Sequence, residues 1–367
     1  MEYSHRGGAH LPGFRSDSAV KPPFLVWLDL FFDGDRGAGA QKVYAAPRPG
    51  LKTLRNIFGN VWVLLGLTVF ALSLGILWRH PGFGREDAIG GLIIFGIIFP
   101  LLAWGTTLRA RPLELPERRS SGEMWLLFAG LMVVTLYLIW GAALSEALVP
   151  ASWLDSPRVK SFLVLARKLI AFVALPFLLF RIIFGYRWRD FGVQWAGLKA
   201  LTGNHLLVVL VLSAVILLFQ YFAGTGAAPI RRGEFSASQL AIGLPLCFAW
   251  LFLEVGLVEE FFFRAVVQER LAAWFRSQVS GVALMALLFG LAHAPGFILR
   301  GAGLHEAIGT TPSAVDSIAY AIVVLSLSGI FFGIVWARTK NLFAVMFIHA
   351  ATDLLPNFKE FVQSWGI

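Results

Sequence analysis

The stretch LAIGLPLCFAWLFLEVGLVEEFFFR, Leu240 to Arg264, decides how this chain is read. No charge interrupts it from Leu240 to Leu253, and its length lets a helix cross the roughly 30 Å hydrocarbon core of a bilayer. Its end, VEEFFFR, Val258 to Arg264, carries two adjacent glutamates and an arginine around three phenylalanines. An ionised side chain at a helix centre costs roughly 2.5 to 3.5 kcal/mol on insertion scales, so such groups must be paired, wet or protonated. At about 100° per residue, Glu260 and Arg264 stand one turn apart on one helix face and can pair i,i+4. Glu259 points to a different face and lacks that partner. The doublet therefore reads as one acid held in place and one left for chemistry.

The rest of the chain has the same character. Hydrophobic residues make up 57% of the 367, charged residues 14%, and the mean hydropathy is +0.71, whereas soluble domains carry roughly a quarter charged residues. About nine predominantly apolar runs recur, near Ile57 to Trp78, Ile89 to Leu108, Met124 to Val149, Phe162 to Phe184, His205 to Ala223, Leu240 to Phe263, Val279 to Ala294, Ile318 to Ala337 and Leu342 to Leu355. The expected fold class is all-α, a polytopic transmembrane helical bundle of about eight to nine membrane spans. A net charge of +9 would suggest nucleic acid in a soluble chain. Here the basic residues alternate by loop, 21 on one side against 8 on the other, with Arg167 and Lys168 inside a span. That pattern predicts no nucleic-acid partner, a lipid bilayer as surroundings and, by the positive-inside rule, a cytoplasmic N-terminus. The location expected is the cell (inner) membrane.

Residues 1–55, rich in Gly, Pro and charge, read as a loosely ordered cytoplasmic arm, too long and polar for a secretory signal. Within it PPFLVWLDLFF, Pro22 to Phe32, is too short to span and suits an interfacial element or a segment packed on the cytoplasmic face. Residues 56–160 read as additional transmembrane helices. No internal repeat supports the duplicated architecture common among transporters. Gly329 and Gly333 form a GxxxG arrangement that favours close helix packing. In the connection from Gly296 to Asp316, Thr311 and Pro312 read as an N-cap and first-turn proline. His305 and Glu306 there fail the HExxH pattern, because Gly309 stands in place of the second histidine. The lone cysteine, Cys247, excludes an intrachain disulfide and reads as packing.

Of the acidic residues, Glu146, Glu254, Glu259, Glu260 and Asp353 lie within or at the ends of spans, and of seven histidines only His293 and His349 fall inside apolar runs. His349 and Asp353, in FIHAATDLL, share a face by the i,i+4 rule. His293, in LLFGLAHAPGF, precedes Pro295, which predicts that the helix ends or distorts just beyond the ring. The chain offers no serine in a nucleophile elbow, no cysteine near a histidine and no glycine-rich phosphate loop, so water activation remains. Glu259 can act as general base toward a water with His293 helping to hold it, and His349 can donate to a developing oxyanion. Alternatively Glu259, His293 and His349 bind one zinc ion with an open position for water. Sequence leaves both open: no cofactor, or one Zn.

EEFFFR (Glu259, Glu260, Arg264), FGLAH (Phe289, His293) and HAATD (His349, Asp353) resemble the three motifs, EExxxR, FxxxH and HxxxN or HxxxD, of the CAAX protease and bacteriocin-processing (CPBP or Abi) family of intramembrane proteases, which includes the type II CAAX prenyl endopeptidases. RWRDFGV, Arg187 to Val193, is similar to a short cytoplasmic motif found ahead of them. The resemblance implies a CPBP-like protease domain over 161–367 with its motif core at 240–356. It implies an intramembrane endopeptidase that cleaves a membrane-associated or lipid-modified protein, with Glu259 and His293 activating the water and His349 and Asp353 stabilising the tetrahedral intermediate. An ionised Asp353 cannot donate to an oxyanion as asparagine can, so orientation of His349 is the role preferred for it. The competing readings are a catalytically silent membrane scaffold or regulator and a proton-coupled transporter using the same carboxylates.

Overall fold

A computed structural model describes residues 59–115, 121–300 and 312–367. The arm with its Pro22 to Phe32 element, and His305 and Glu306, lie outside the described residues. Nine long helices occur among those described: α1 Val61–Trp78, α2 Ala88–Arg109, α3 Ser121–Leu148, α4 Pro157–Phe184, α5 Asn204–Ala223, α6 Ala237–Trp274, α7 Gln278–Arg300, α8 Ala314–Thr339 and α9 Leu342–Trp365. No strand occurs among them. Helices α1 to α8 are long and apolar enough to cross a membrane. The ninth run forms α9, 24 residues long, but His349, Asp353, Asn357, Lys359 and Glu360 leave it less apolar than the others.

Local chemistry sets the helix ends. Asn60 starts α1 by accepting from the backbone N–H of Trp62 and Val63, and Ser156 followed by Pro157 starts α4. Gly185, at φ 69°, ends α4 in the left-handed conformation that glycine adopts without strain. Reciprocal capping boxes start α6 (Ser236 with Gln239) and α8 (Ser313 with Asp316). The N-cap of α8 is thus Ser313 and not Thr311, because the acid three residues on returns a bond to the Ser313 N–H. Of the two outcomes expected at Pro295, an end of the helix does not occur: the proline lies inside α7, which runs on to Arg300. Membrane helices tolerate an interior proline where neighbouring groups satisfy the freed carbonyl.

Small residues bring the site-bearing helices together. A Cβ on Gly329 of α8 would lie 2.8 Å from the Cα of Ala286 on α7, and one on Gly256 of α6 would lie 2.9 Å from the carbonyl oxygen of Met346 on α9. Any larger side chain would wedge those pairs apart. The RWRDFGV segment forms a short 3₁₀ turn, Trp188–Phe191, on the end of the bundle. Trp188 stacks on Phe177 of α4 with centroids 3.6 Å apart, while buried Phe191 packs against Phe261 of α6. Arg270 of α6 lies 4.8 Å from the ring centres of both Tyr186 and Phe191. The segment therefore clamps α4 to α6 beside the Glu259–Glu260 doublet.

Candidate active site

Helix α6 leaves regular α winding where the chemistry-bearing residues sit. Wide π turns cover Phe252–Leu257 and Glu260–Gln268, with Glu259 at the junction between them. Such turns are rare and frequently mark functional sites. Nothing in the sequence announces this winding, and the α-helical phase argument still gave the right pair: Glu260 Oε2 lies 3.1 Å from Arg264 Nε.

That pair is sealed. Both side chains are 0% exposed, and the Arg264 guanidinium lies 4.5 Å from the Phe289 ring centre and 5.3 Å from that of Phe332. Its Nη1 and Nη2 reach no hydrogen-bond acceptor, so the Glu260 charge and the two ring faces are what hold the cation. The other oxygen of Glu260, Oε1, lies 2.5 Å from His349 Nδ1. A carboxylate only accepts, so Nδ1 carries the proton and Nε2 is turned away from the pair. Phe332 stacks on the imidazole at 4.4 Å and 22°. The carboxylate that orients His349 is therefore Glu260. Asp353 lies on the opposite side of the ring, its Oδ2 3.9 Å from Nε2, which corrects the orienting role read from i,i+4 spacing.

His293 is fixed in a similar way from α7. Its Nδ1 donates to the Phe289 carbonyl at 2.8 Å, leaving Nε2 bare and facing α6. Glu259 Oε2 lies 3.9 Å from His293 Nε2 and 4.0 Å from His349 Nε2, and its carboxylate makes no hydrogen bond among the described residues. Two hydrogen bonds of about 2.8 Å meeting at roughly 90° span such separations, so one water molecule can touch Glu259 and an imidazole together. Exposure divides the set: Glu259 is 15%, Asp353 30% and His293 32% accessible, against 6% for His349.

Glu259 and His293 face a cavity of about 460 Å³ whose far wall comes from α3 and α4, including Tyr137, Arg167 and Lys168. Arg167 donates to the Gly141 carbonyl at 2.8 Å, and Lys168 pairs with Glu254 of α6. Sequence reasoning noticed the two cations inside a span but did not connect them with the acids. The side chain of Glu146 lies outside the described residues.

Two imidazoles and a carboxylate are a common zinc set. With bonds of about 2.0 to 2.1 Å, a tetrahedral zinc holds its donor atoms roughly 3.3 to 3.4 Å apart. The separations here are 3.9 and 4.0 Å, and among the described residues no three His, Cys, Asp or Glu side chains are arranged to hold a metal ion. The residue types suit zinc and their spacing does not, so no step below passes through a metal.

The fold and the set of apolar helices define a polytopic helical membrane protein. Within it, residues 240–355 match the family model described as type II CAAX prenyl endopeptidase Rce1-like, the family whose motifs the sequence resembles. No curated protein and no solved structure matches the chain. The family match supports, at family level, a CAAX-protease-like intramembrane endopeptidase. It contains all seven motif residues and excludes α1 to α5, hence Tyr137, Arg167 and Lys168.

Proposed function

We propose that the chain is an intramembrane endopeptidase that hydrolyses a peptide bond of a membrane-associated or lipid-modified protein, using water activated by Glu259. The observation that carries this reading is the approach of Glu259 Oε2 to two imidazole Nε2 atoms, 3.9 and 4.0 Å away, at the edge of the cavity. Water held between Glu259 and the lone pair of His293 Nε2 loses a proton to the carboxylate as its oxygen attacks the scissile carbonyl carbon. His349, protonated on both nitrogens, donates from Nε2 to the oxyanion, while Glu260 accepts from Nδ1 and stabilises the imidazolium. Asp353 adds a second negative charge beside that imidazolium. The proton taken by Glu259 passes to the amide nitrogen as the C–N bond breaks, which frees an amine and a carboxylic acid.

In this reading residues 161–367 form the protease unit and the first three spans are additions, with α3 lending Tyr137 to the cavity wall. The excess of Lys and Arg on one side supports a cytoplasmic N-terminus in a cell membrane. The test is cleavage of a lipid-modified peptide by the purified protein in proteoliposomes. Glu259→Gln lowers the cleavage rate by about 10² to 10⁴, and cleavage at the parental rate in that variant refutes the mechanism.

A further inference from the structure

The cavity's far wall raises a question that the motif residues leave unanswered: what fixes the position of Glu259, whose carboxylate makes no hydrogen bond of its own among the described residues? Its place is dictated by the backbone beneath it, and that backbone is π-wound on both sides. A wide turn competes with ordinary α winding, and a change from one to the other rotates every side chain beyond it. Something must select the register. Glu254, inside the first π segment, is ion-paired with Lys168, the residue immediately before the π segment Leu169–Ala174 of α4. Lys168 also lines the same cavity as Glu259 and His293. In a bilayer an ammonium and a carboxylate strongly prefer each other to hydrocarbon, so this tether resists any rotation that separates them.

We propose that Lys168 is a positioning residue for Glu259: its ion pair with Glu254 pins the wide turns of α6 so that Glu259 stands between the two imidazoles. The inference rests on the hydrolase reading and adds to it a residue from outside the matched segment 240–355.

The experiment uses the full chain in proteoliposomes with a quenched lipid-modified peptide as probe. Lys168→Gln and Glu254→Gln each lower kcat by roughly 10²-fold, the loss expected of a displacement of about 1 Å, with KM nearly unchanged. The exchanged pair, Lys168→Glu with Glu254→Lys, recovers most of that loss. Hydrogen exchange of the 252–268 amides gives a readout independent of cleavage, faster in each single variant and restored in the exchanged pair. Parental kcat in the single variants overturns the proposal, as does an exchanged pair that restores amide protection without restoring kcat. If the parent cleaves no probe, the hydrolase reading fails, and unchanged amide exchange in the single variants then overturns the tether separately.

Discussion

Adjacent glutamates with opposite tasks make the sharpest prediction. Glu260 is fully buried between Arg264 at 3.1 Å and His349 at 2.5 Å. Glu260→Gln therefore leaves the Arg264 cation without its carboxylate in a dry site, and breaking a buried pair from one side costs about 3 to 5 kcal/mol. At about 2 to 4 °C per kcal/mol for a large domain, melting in detergent falls by roughly 10 °C. Glu259 is partly open to the cavity and has no hydrogen bond to lose, so Glu259→Gln costs less stability than Glu260→Gln. Its activity, by contrast, drops by about 10² to 10⁴, the usual contribution of a general base. A further variant separates charge loss from shape. Glu260→Leu with Arg264→Met removes both charges and melts above Glu260→Gln, since apolar replacement of a buried pair is often neutral or stabilising. The reasoning is refuted if Glu259→Gln melts as low as Glu260→Gln, or if Glu260→Gln melts with the parent.

His293→Ala removes the group that holds the water together with a single bond to a backbone carbonyl; the rate falls by about 10²-fold with little change in melting, checked by parallel cleavage and unfolding assays. Gly329→Ala places a Cβ 2.8 Å from the Ala286 backbone, and such overpacking lowers stability by about 1 to 3 kcal/mol, measurable as a melting shift. Gly256→Val presses on the Met346 carbonyl and separates α6 from α9, so kcat falls further than stability does. Because the donor spacing does not suit zinc, activity withstands a strong chelator and elemental analysis finds zinc well below one per chain; loss of activity on chelation with recovery on added zinc contradicts this.

Sequence reading found the spans because composition and length alone decide them, and it found the Glu260–Arg264 pair because i,i+4 contact needs only one helix. It grouped Glu259, His293 and His349 because ionisable side chains inside apolar spans must share a polar site, a grouping the family motifs reinforce, and the structure brings Glu259 within 4.0 Å of each ring. What it missed depends on neighbours. The partner that orients His349 could not be chosen between Glu260 and Asp353 from spacing, since the first lies on another helix. The N-cap of α8 moved from Thr311 to Ser313 because a reciprocal bond from Asp316 outweighs a proline signal. Helix α7 passes through Pro295, and the π turns of α6 have no residue signature. The role of Lys168 was hidden for a similar reason: its acid lies 86 residues away.

The doublet's adjacency has a physical reason. A carboxylate that pairs with a buried guanidinium through one oxygen and holds an imidazole with the other has committed both and meets no solvent. It cannot also be a ready base. A second acid must do that, open enough to meet water yet supported by the first. Placing the two in sequence on one π-wound helix puts the sealed layer, Arg264, Glu260 and the rings of Phe289 and Phe332, directly beside the wet one, Glu259, His293 and Asp353. His349 belongs to both layers, with Nδ1 bound to the sealed acid and Nε2 facing the open one. Removing its ring therefore differs from removing either glutamate, since His349→Ala should lose cleavage and stability together. A variant that loses only one of the two would show that the layers are independent, and the support argument would fail.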